Sequence, residues 1–177
     1  MDSASKSFFC PSCKSELSLE FAKTTTLRCI NTECELTAFE SVSSLPILVN
    51  PGCPYSLDLS SHLFDDVNLV ERINHKSTFL NILKQILHGK NSVSSSNFHK
   101  LLSMVRVGAT VLIVGGGTRG SGMDQIYNAA EHGSIRLFSI DVYPSAEVYC
   151  IADAHCLPFP DSFFDCVIIQ AVLEHVI

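Results

Sequence analysis

An apolar run ending in a cluster of glycines, Thr110-Val-Leu-Ile-Val-Gly115-Gly-Gly-Thr-Arg-Gly120-Ser-Gly122, constrains this chain more than any other feature. A short run that is apolar throughout suits a strand buried on both faces, as in a parallel sheet. Glycines let the backbone that follows turn sharply and come close to a ligand. The pattern predicts a strand over 110–114 and a helix from about Met123 to His132, whose first turn offers unpaired N–H groups. Gly115-x-Gly117-x-x-Gly120 also matches the dinucleotide fingerprint. The next predicted strand, 136–140, runs into Asp141, and an acid at that tip can accept from both ribose hydroxyls of a nucleoside cofactor. Strands are further predicted at 147–150 and 165–170. Strand, glycine loop, helix, strand and acid in this order predict a βαβ unit built for such a cofactor. NAD and S-adenosylmethionine both satisfy these residues.

Composition divides the chain into three segments: 1–55, 56–108 and 109–177. The first holds five of the eight cysteines and many turn formers, among them Pro11, Asn31, Pro46, Asn50, Pro51, Gly52 and Pro54. The second is predicted to be helical, because Val70, Ile73, Leu80, Leu83 and Leu87 recur at three- and four-residue steps. Gly89 is a stop signal, 92–97 a loop or N-cap region, and Phe98 to Val105 a short helix. The net charge of −6 falls wholly on 107–177, where Arg119 and Arg136 face eight acids. That half offers a poor surface to phosphate backbones, so nucleic-acid binding loses its electrostatic term. No apolar stretch approaches the roughly 20 residues of a membrane span, and the N-terminus has no signal-peptide core. A cytoplasmic protein is expected, with reduced thiols rather than a disulfide framework.

Cys10-Pro-Ser-Cys13 is followed after fifteen residues by Cys29-Ile-Asn-Thr-Glu-Cys34. Two tight turns that each aim two thiolates inward can close a tetrahedron around Zn2+. A segment this short, with few large apolar side chains, can hardly fold on its own core, and a metal fills that gap. The second knuckle is wider than the first, and Cys53 is near enough to compete as a ligand. The Cys-Pro-x-Cys start and the Leu45-Pro-Ile-Leu-Val49 stretch resemble the small zinc ribbons that precede or partner methyltransferases.

Asp153-Ala-His-Cys-Leu-Pro-Phe-Pro-Asp-Ser-Phe-Phe-Asp165-Cys-Val-Ile-Ile-Gln170-Ala-Val-Leu-Glu-His175 carries a second resemblance. It is similar to class I S-adenosylmethionine-dependent methyltransferases of the type-11, ubiquinone-biosynthesis-like group. These have an Asp-Ala pair, a Leu-Pro-Phe, a Phe-Asp opening the fourth strand and a Leu-Glu-His close. The resemblance covers about 109–177 and implies an α/β fold: a Rossmann-like sheet in the order 3-2-1-4-5-7-6, preceded here by a small zinc-ribbon-like β domain. It also implies roles. Gly115 and Gly117 would line the methionine and ribose part of S-adenosylmethionine, and Asp141 would take the ribose hydroxyls. Asp153 and the Ala154 amide would hold adenine, and Gln170 would face the sulfonium. Two departures stand out: Ile113 replaces the acid usual before the glycines, and Arg119 stands where a third glycine often does.

His155 and Cys156 beside the adenine segment are expected to be packing or rim residues. His175 is equally a candidate general base and a helix-start residue, so no catalytic residue is named, and the methyl acceptor is not identified. The chain ends at Ile177, where the resemblance leaves strands one to four of seven. A fragment or short isoform with little methyl transfer is therefore expected. Its fourth-strand edge at Val167, Ile168 and Ile169 would pair with another chain. The alternatives are a non-catalytic zinc-ribbon protein that docks on a partner and, more distantly, an NAD(P)-dependent oxidoreductase.

Overall fold

The structure, a computed structural model, describes residues 8–21, 25–42, 44–53, 92–120, 122–169 and 172. The predicted helical stripe from Val70 to Leu87 lies outside these residues.

Near the N-terminus, β1 (Leu17–Phe21) and β2 (Thr25–Cys29) form an antiparallel pair, and β3 (Ala38–Phe39) joins β2 on its other side. A small hairpin of β4 (Ser41–Val42) and β5 (Leu45–Pro46) follows. Of the stretch 45–49, only Leu45 and Pro46 belong to β5. After Pro46 the chain changes partner: Ile47 bridges Ile151 in parallel, and the Leu48 N–H donates to the Ile151 carbonyl at 2.8 Å.

Helix α1 spans Ser92–Met104, β6 Ala109–Val114, α2 Asp124–Glu131, β7 Ile135–Asp141, β8 Cys150–Ile151 and β9 Cys166–Ile169. The four strands form a parallel sheet in the order β8-β7-β6-β9. This is a partial α/β sheet of Rossmann-like type. Met123 and His132 cap α2 at the ends anticipated from the sequence.

Two expected elements differ. The serine-rich stretch 92–97 is the start of α1 rather than a loop. Serine is an indifferent helix former, but packing decides here. Gln125 Nε2 donates to both the carbonyl and the hydroxyl of Ser95, at 3.1 and 2.6 Å. Gly122 lies against Ser94 and Ser95, close enough that a Cβ there would meet the Ser95 nitrogen at 2.9 Å. The strand expected at 147–150 begins later. The Ser145 hydroxyl and carbonyl accept from the N–H groups of Glu147 and Val148 and hold that stretch in a turn.

All six residues of β6 are buried, and alternation sends them to two different layers. Val111 and Ile113 face a cluster with Met123, Ile126, Phe98 and Leu101 from the helices. Leu112 and Val114 face a cluster that holds Cys10, Leu27, Cys34 and Leu48 of the N-terminal segment together with Ile140, Cys150 and Phe159. Aromatic rings extend this second layer: Phe8 on Tyr149 at 4.9 Å, and Phe9 on Phe163 at 5.1 Å. The cysteine-bearing segment therefore covers the sheet face opposite the helices.

Asp165 has a local job that explains an acid just before β9. Its Oδ2 accepts from the Thr110 N–H at 2.8 Å, and Arg106 donates to both of its oxygens. The Thr110 amide, then Arg106, hold this carboxyl below its ordinary value of 3.8. A depressed carboxyl stabilises the fold above its unfolded pKa, and that contribution disappears as pH falls through the folded value. Asp165→Asn is therefore expected to lower the melting temperature near neutrality. As pH falls below 3.8 and on through the lower folded value, thermal scans of the two proteins should converge. A gap that is constant with pH would show that ionisation contributes nothing.

Candidate functional sites

The carboxyl end of β6 is a topological switch point, because its neighbours β7 and β9 lie on opposite sides. Parallel α/β sheets bind ligands in the crevice at such a point. The glycine loop leaves β6 there and is strapped to β7. Gly115, with φ 77°, and Gly116 both donate their N–H to the Ile140 carbonyl at 3.0 Å. The Gly117 N–H donates to Asp141 Oδ2 at 2.8 Å, and Oδ1 accepts from Tyr143 N–H at 3.2 Å. The first two amides are thus committed to β7, and what these glycines offer a ligand is bare Cα surface.

Closeness, not only turning, requires glycine here. A Cβ on Gly117 would come within 2.5 Å of Asp141 Oδ2, and one on Gly116 would collide with Ser139 Oγ. Ser139 is 3% exposed, and its hydroxyl is buried without a hydrogen-bond partner. The spacing pattern overlooked Gly116 and Ser139, since neither lies on the fingerprint. Arg119, at the close of the loop, pairs with Glu147 at 3.0 Å and lies 4.2 Å over the Tyr127 ring. It ties the loop to both α2 and the β7–β8 connection.

Asp153 follows β8 and is 2% exposed. Its Oδ1 accepts from the His155 N–H at 2.9 Å and lies 2.6 Å from His155 Nδ1; as a carboxylate it pairs with the ring tautomer protonated there. Ala154 is half-buried within the same turn. His155, expected to be a packing or rim residue, is a direct partner of the carboxylate. Gln170 and His175 lie outside the described residues.

The second site is the thiol cluster. The Sγ atoms of Cys10, Cys13, Cys29 and Cys34 all lie within 4.8 Å of one another, with Cys10–Cys34 at 3.6 Å and Cys13–Cys29 at 3.5 Å. A tetrahedron with metal–sulfur bonds of 2.3 Å has sulfur–sulfur edges of about 3.8 Å, so this donor set fits a metal ion. Lys14, with φ 61°, completes the first knuckle: its N–H donates to the Cys10 carbonyl, and Cys10 N–H donates to Ser15. The wider second knuckle is braced by Asn31, whose carbonyl accepts from Cys34 N–H and whose Oδ1 accepts from Glu33 N–H. Burial raises the thiols of Cys10 and Cys29, the latter to about 12, whereas hydrogen bonding from Ser15 draws Cys13 down to about 6.

Cys53 does not compete for this cluster. It is bonded to Cys156 in a disulfide that spans 103 residues. This corrects two expectations: that Cys53 could compete as a metal ligand, and that the cysteines are all reduced thiols. The other six cysteines are free thiols. No described helix is long and apolar enough to cross a membrane.

Comparison with known proteins touches the same region. A family model described as a methyltransferase domain matches residues 119–177, a third of the chain. The match takes in α2, the Asp141 strand, the Asp153 turn and β9, and begins just after Gly115–Gly117. No curated protein matches. Residues 119–177 thus carry the pattern of a methyltransferase-family domain, beside an N-terminal cysteine cluster able to hold a metal.

Proposed function

We propose that the chain binds S-adenosylmethionine in the crevice above β6 and β7 and belongs to a protein that transfers its methyl group. The observation that carries this reading is the Gly117–Asp141 pair, an acid at the tip of the second strand held against a glycine with no room for a side chain. Ser139 Oγ, buried without a partner under the loop, is a further polar group at the same place. These residues fit a nucleoside whose ribose meets the Asp141 carboxylate. Asp153 and the Ala154 amide would hold the adenine edge, Gly115 and Gly117 the ribose and methionine part, and Gln170 the side of the sulfonium. Bound there, the cofactor supplies a methyl group already activated for displacement. The chain's own work is to align the acceptor and exclude water. Calorimetric titration with S-adenosylhomocysteine and with NADH tests the reading: heat only with NADH would favour an oxidoreductase.

For the thiol cluster the reading is Zn2+, the ion that closed tetrahedral sites of four thiolates characteristically hold. A second reading concerns association, and Val167 and Ile169, each 47% exposed on β9, favour it. Among the described residues β9 has a partner on one side only, so its other edge is proposed to pair with a second copy. Sedimentation velocity is expected to show a dimer that Ile169→Lys dissociates; a wild-type monomer at high concentration refutes it.

A further inference from the structure

The Cys53–Cys156 bond joins two turns that lie 103 residues apart in the chain. Cys53 closes the turn 50–53, where the Asn50 carbonyl accepts from Cys53 N–H at 3.0 Å and Asn50 Oδ1 accepts from Gly52 N–H at 2.9 Å. Cys156 closes the turn 153–156, where the Asp153 carbonyl accepts from Cys156 N–H at 3.2 Å. That second turn carries Asp153 and Ala154. Asp153 and His155 bond to each other within it, and Ala154 packs against the core cluster. Fastenings on either side of the turn include the Ile151 pairing before it and Lys14 Nζ on the Leu157 carbonyl at 2.6 Å after it. The disulfide is a covalent fastening at the turn's own end.

We propose that Cys53 and Cys156 form a redox lock on the turn that carries Asp153, with the oxidised pair holding it in place and the reduced pair releasing it. This rests on the cofactor reading only for its consequence, since Asp153 and Ala154 are the proposed adenine contacts. Chemistry singles out this pair among the eight cysteines. Four thiols converge on the metal cluster. Cys150 is fully buried, and burial raises its thiol to about 12, which leaves it unreactive. Cys166 stands alone as a free thiol in β9, and burial raises it too. Cys156 is half-buried and, bonded to Cys53, belongs to a bond that thiol exchange can open.

The step balances with a dithiol as reductant. One reductant thiolate attacks a sulfur of the pair, breaking the Cys53–Cys156 bond and forming a mixed disulfide. The second reductant thiol displaces it. Two electrons and two protons end on Cys53 and Cys156, and the reductant leaves as its own disulfide. A low-molecular-weight disulfide runs the step in reverse.

The test compares full-length, zinc-loaded protein after treatment with oxidised glutathione and after treatment with a dithiol. Peptide mapping is expected to find Cys53 linked to Cys156 only in the first. Hydrogen exchange at residues 153–156 is expected to speed up on reduction, while β6 and β7 are unchanged. Affinity for S-adenosylhomocysteine is expected to fall about tenfold, within the usual range of coupling between two sites. Cys156→Ala, or separately Cys53→Ser, should hold both readouts at the reduced values whatever the treatment. Equal exchange at 153–156 in the two states, or no linked peptide after oxidation, overturns the lock. Exchange that responds while neither state binds the adenosyl ligand supports the lock and refutes the cofactor reading alone.

Discussion

Replacing Cys10 with serine is expected to unfold the sheet as well as the cysteine-bearing segment. Cys10 is fully buried and shares one cluster with Leu48, Leu112, Val114 and Ile140. Removing it does two things at once. It costs a ligand to a metal whose binding, in small zinc modules, is worth about 10–16 kcal/mol of folding free energy. It also leaves a hydroxyl among apolar side chains, at a cost of roughly 1–3 kcal/mol. A domain is typically stable by only about 5–15 kcal/mol, so even part of that loss is decisive. Because the thiols sit on the face of β6 opposite α1 and α2, the loss spreads. Leu112 and Val114 lose their cover, and with them the strand that launches the glycine loop. Elemental analysis should find about one zinc per wild-type chain. Thermal unfolding of Cys10→Ser should show no cooperative transition, whereas Cys166→Ser should keep one. Two separate transitions, with the sheet melting at its wild-type temperature, would refute a shared core. Wild-type protein without metal would refute the zinc assignment.

What the sequence disclosed follows from how local each signal is. Apolar runs and glycines located β6, α2 and β7 within a residue or two, because strand and helix periods are written in neighbouring residues. Likewise, the knuckle spacings brought four particular thiols together, since each pair is set by one short turn. The strand order on the two sides of β6 came with the resemblance, not with periodicity. The docking of the first segment was hidden. Leu112 and Val114 announced that a second face needed cover, but Phe8 on Tyr149 and Leu48 on Ile151 are contacts across more than a hundred residues. For the same reason, no spacing rule could pick Cys156 as the partner of Cys53. Serine propensity misled at α1 because Gln125 and Gly122, far along the chain, reward a helix there.

Asp141→Ala is expected to weaken S-adenosylhomocysteine binding by about 1.5–3 kcal/mol, the scale of a hydrogen bond to a charged group. That is about 10- to 150-fold in dissociation constant. The carboxylate has two tasks that this variant cannot separate: it holds Gly117 N–H at 2.8 Å, and it is the proposed acceptor for the ribose. Gly117→Ala should give a loss of similar size by another route, since the new Cβ would push against Asp141 Oδ2 while the charge stays. A deoxyribose analogue of the ligand divides the two tasks. If Asp141 meets the ribose, wild-type protein binds the analogue more weakly than the parent, and Asp141→Ala barely distinguishes them. The coupling between substitution and analogue then isolates that contact, as in any double-mutant cycle. If Asp141 only anchors the loop, the substitution weakens both ligands equally, and the coupling is zero. Asp141→Asn should lie between, because the amide keeps one acceptor oxygen but must turn its nitrogen toward either the Gly117 N–H or the ligand. Zero coupling would leave the acid as a strap for the glycine loop and remove the ribose contact from the proposed site.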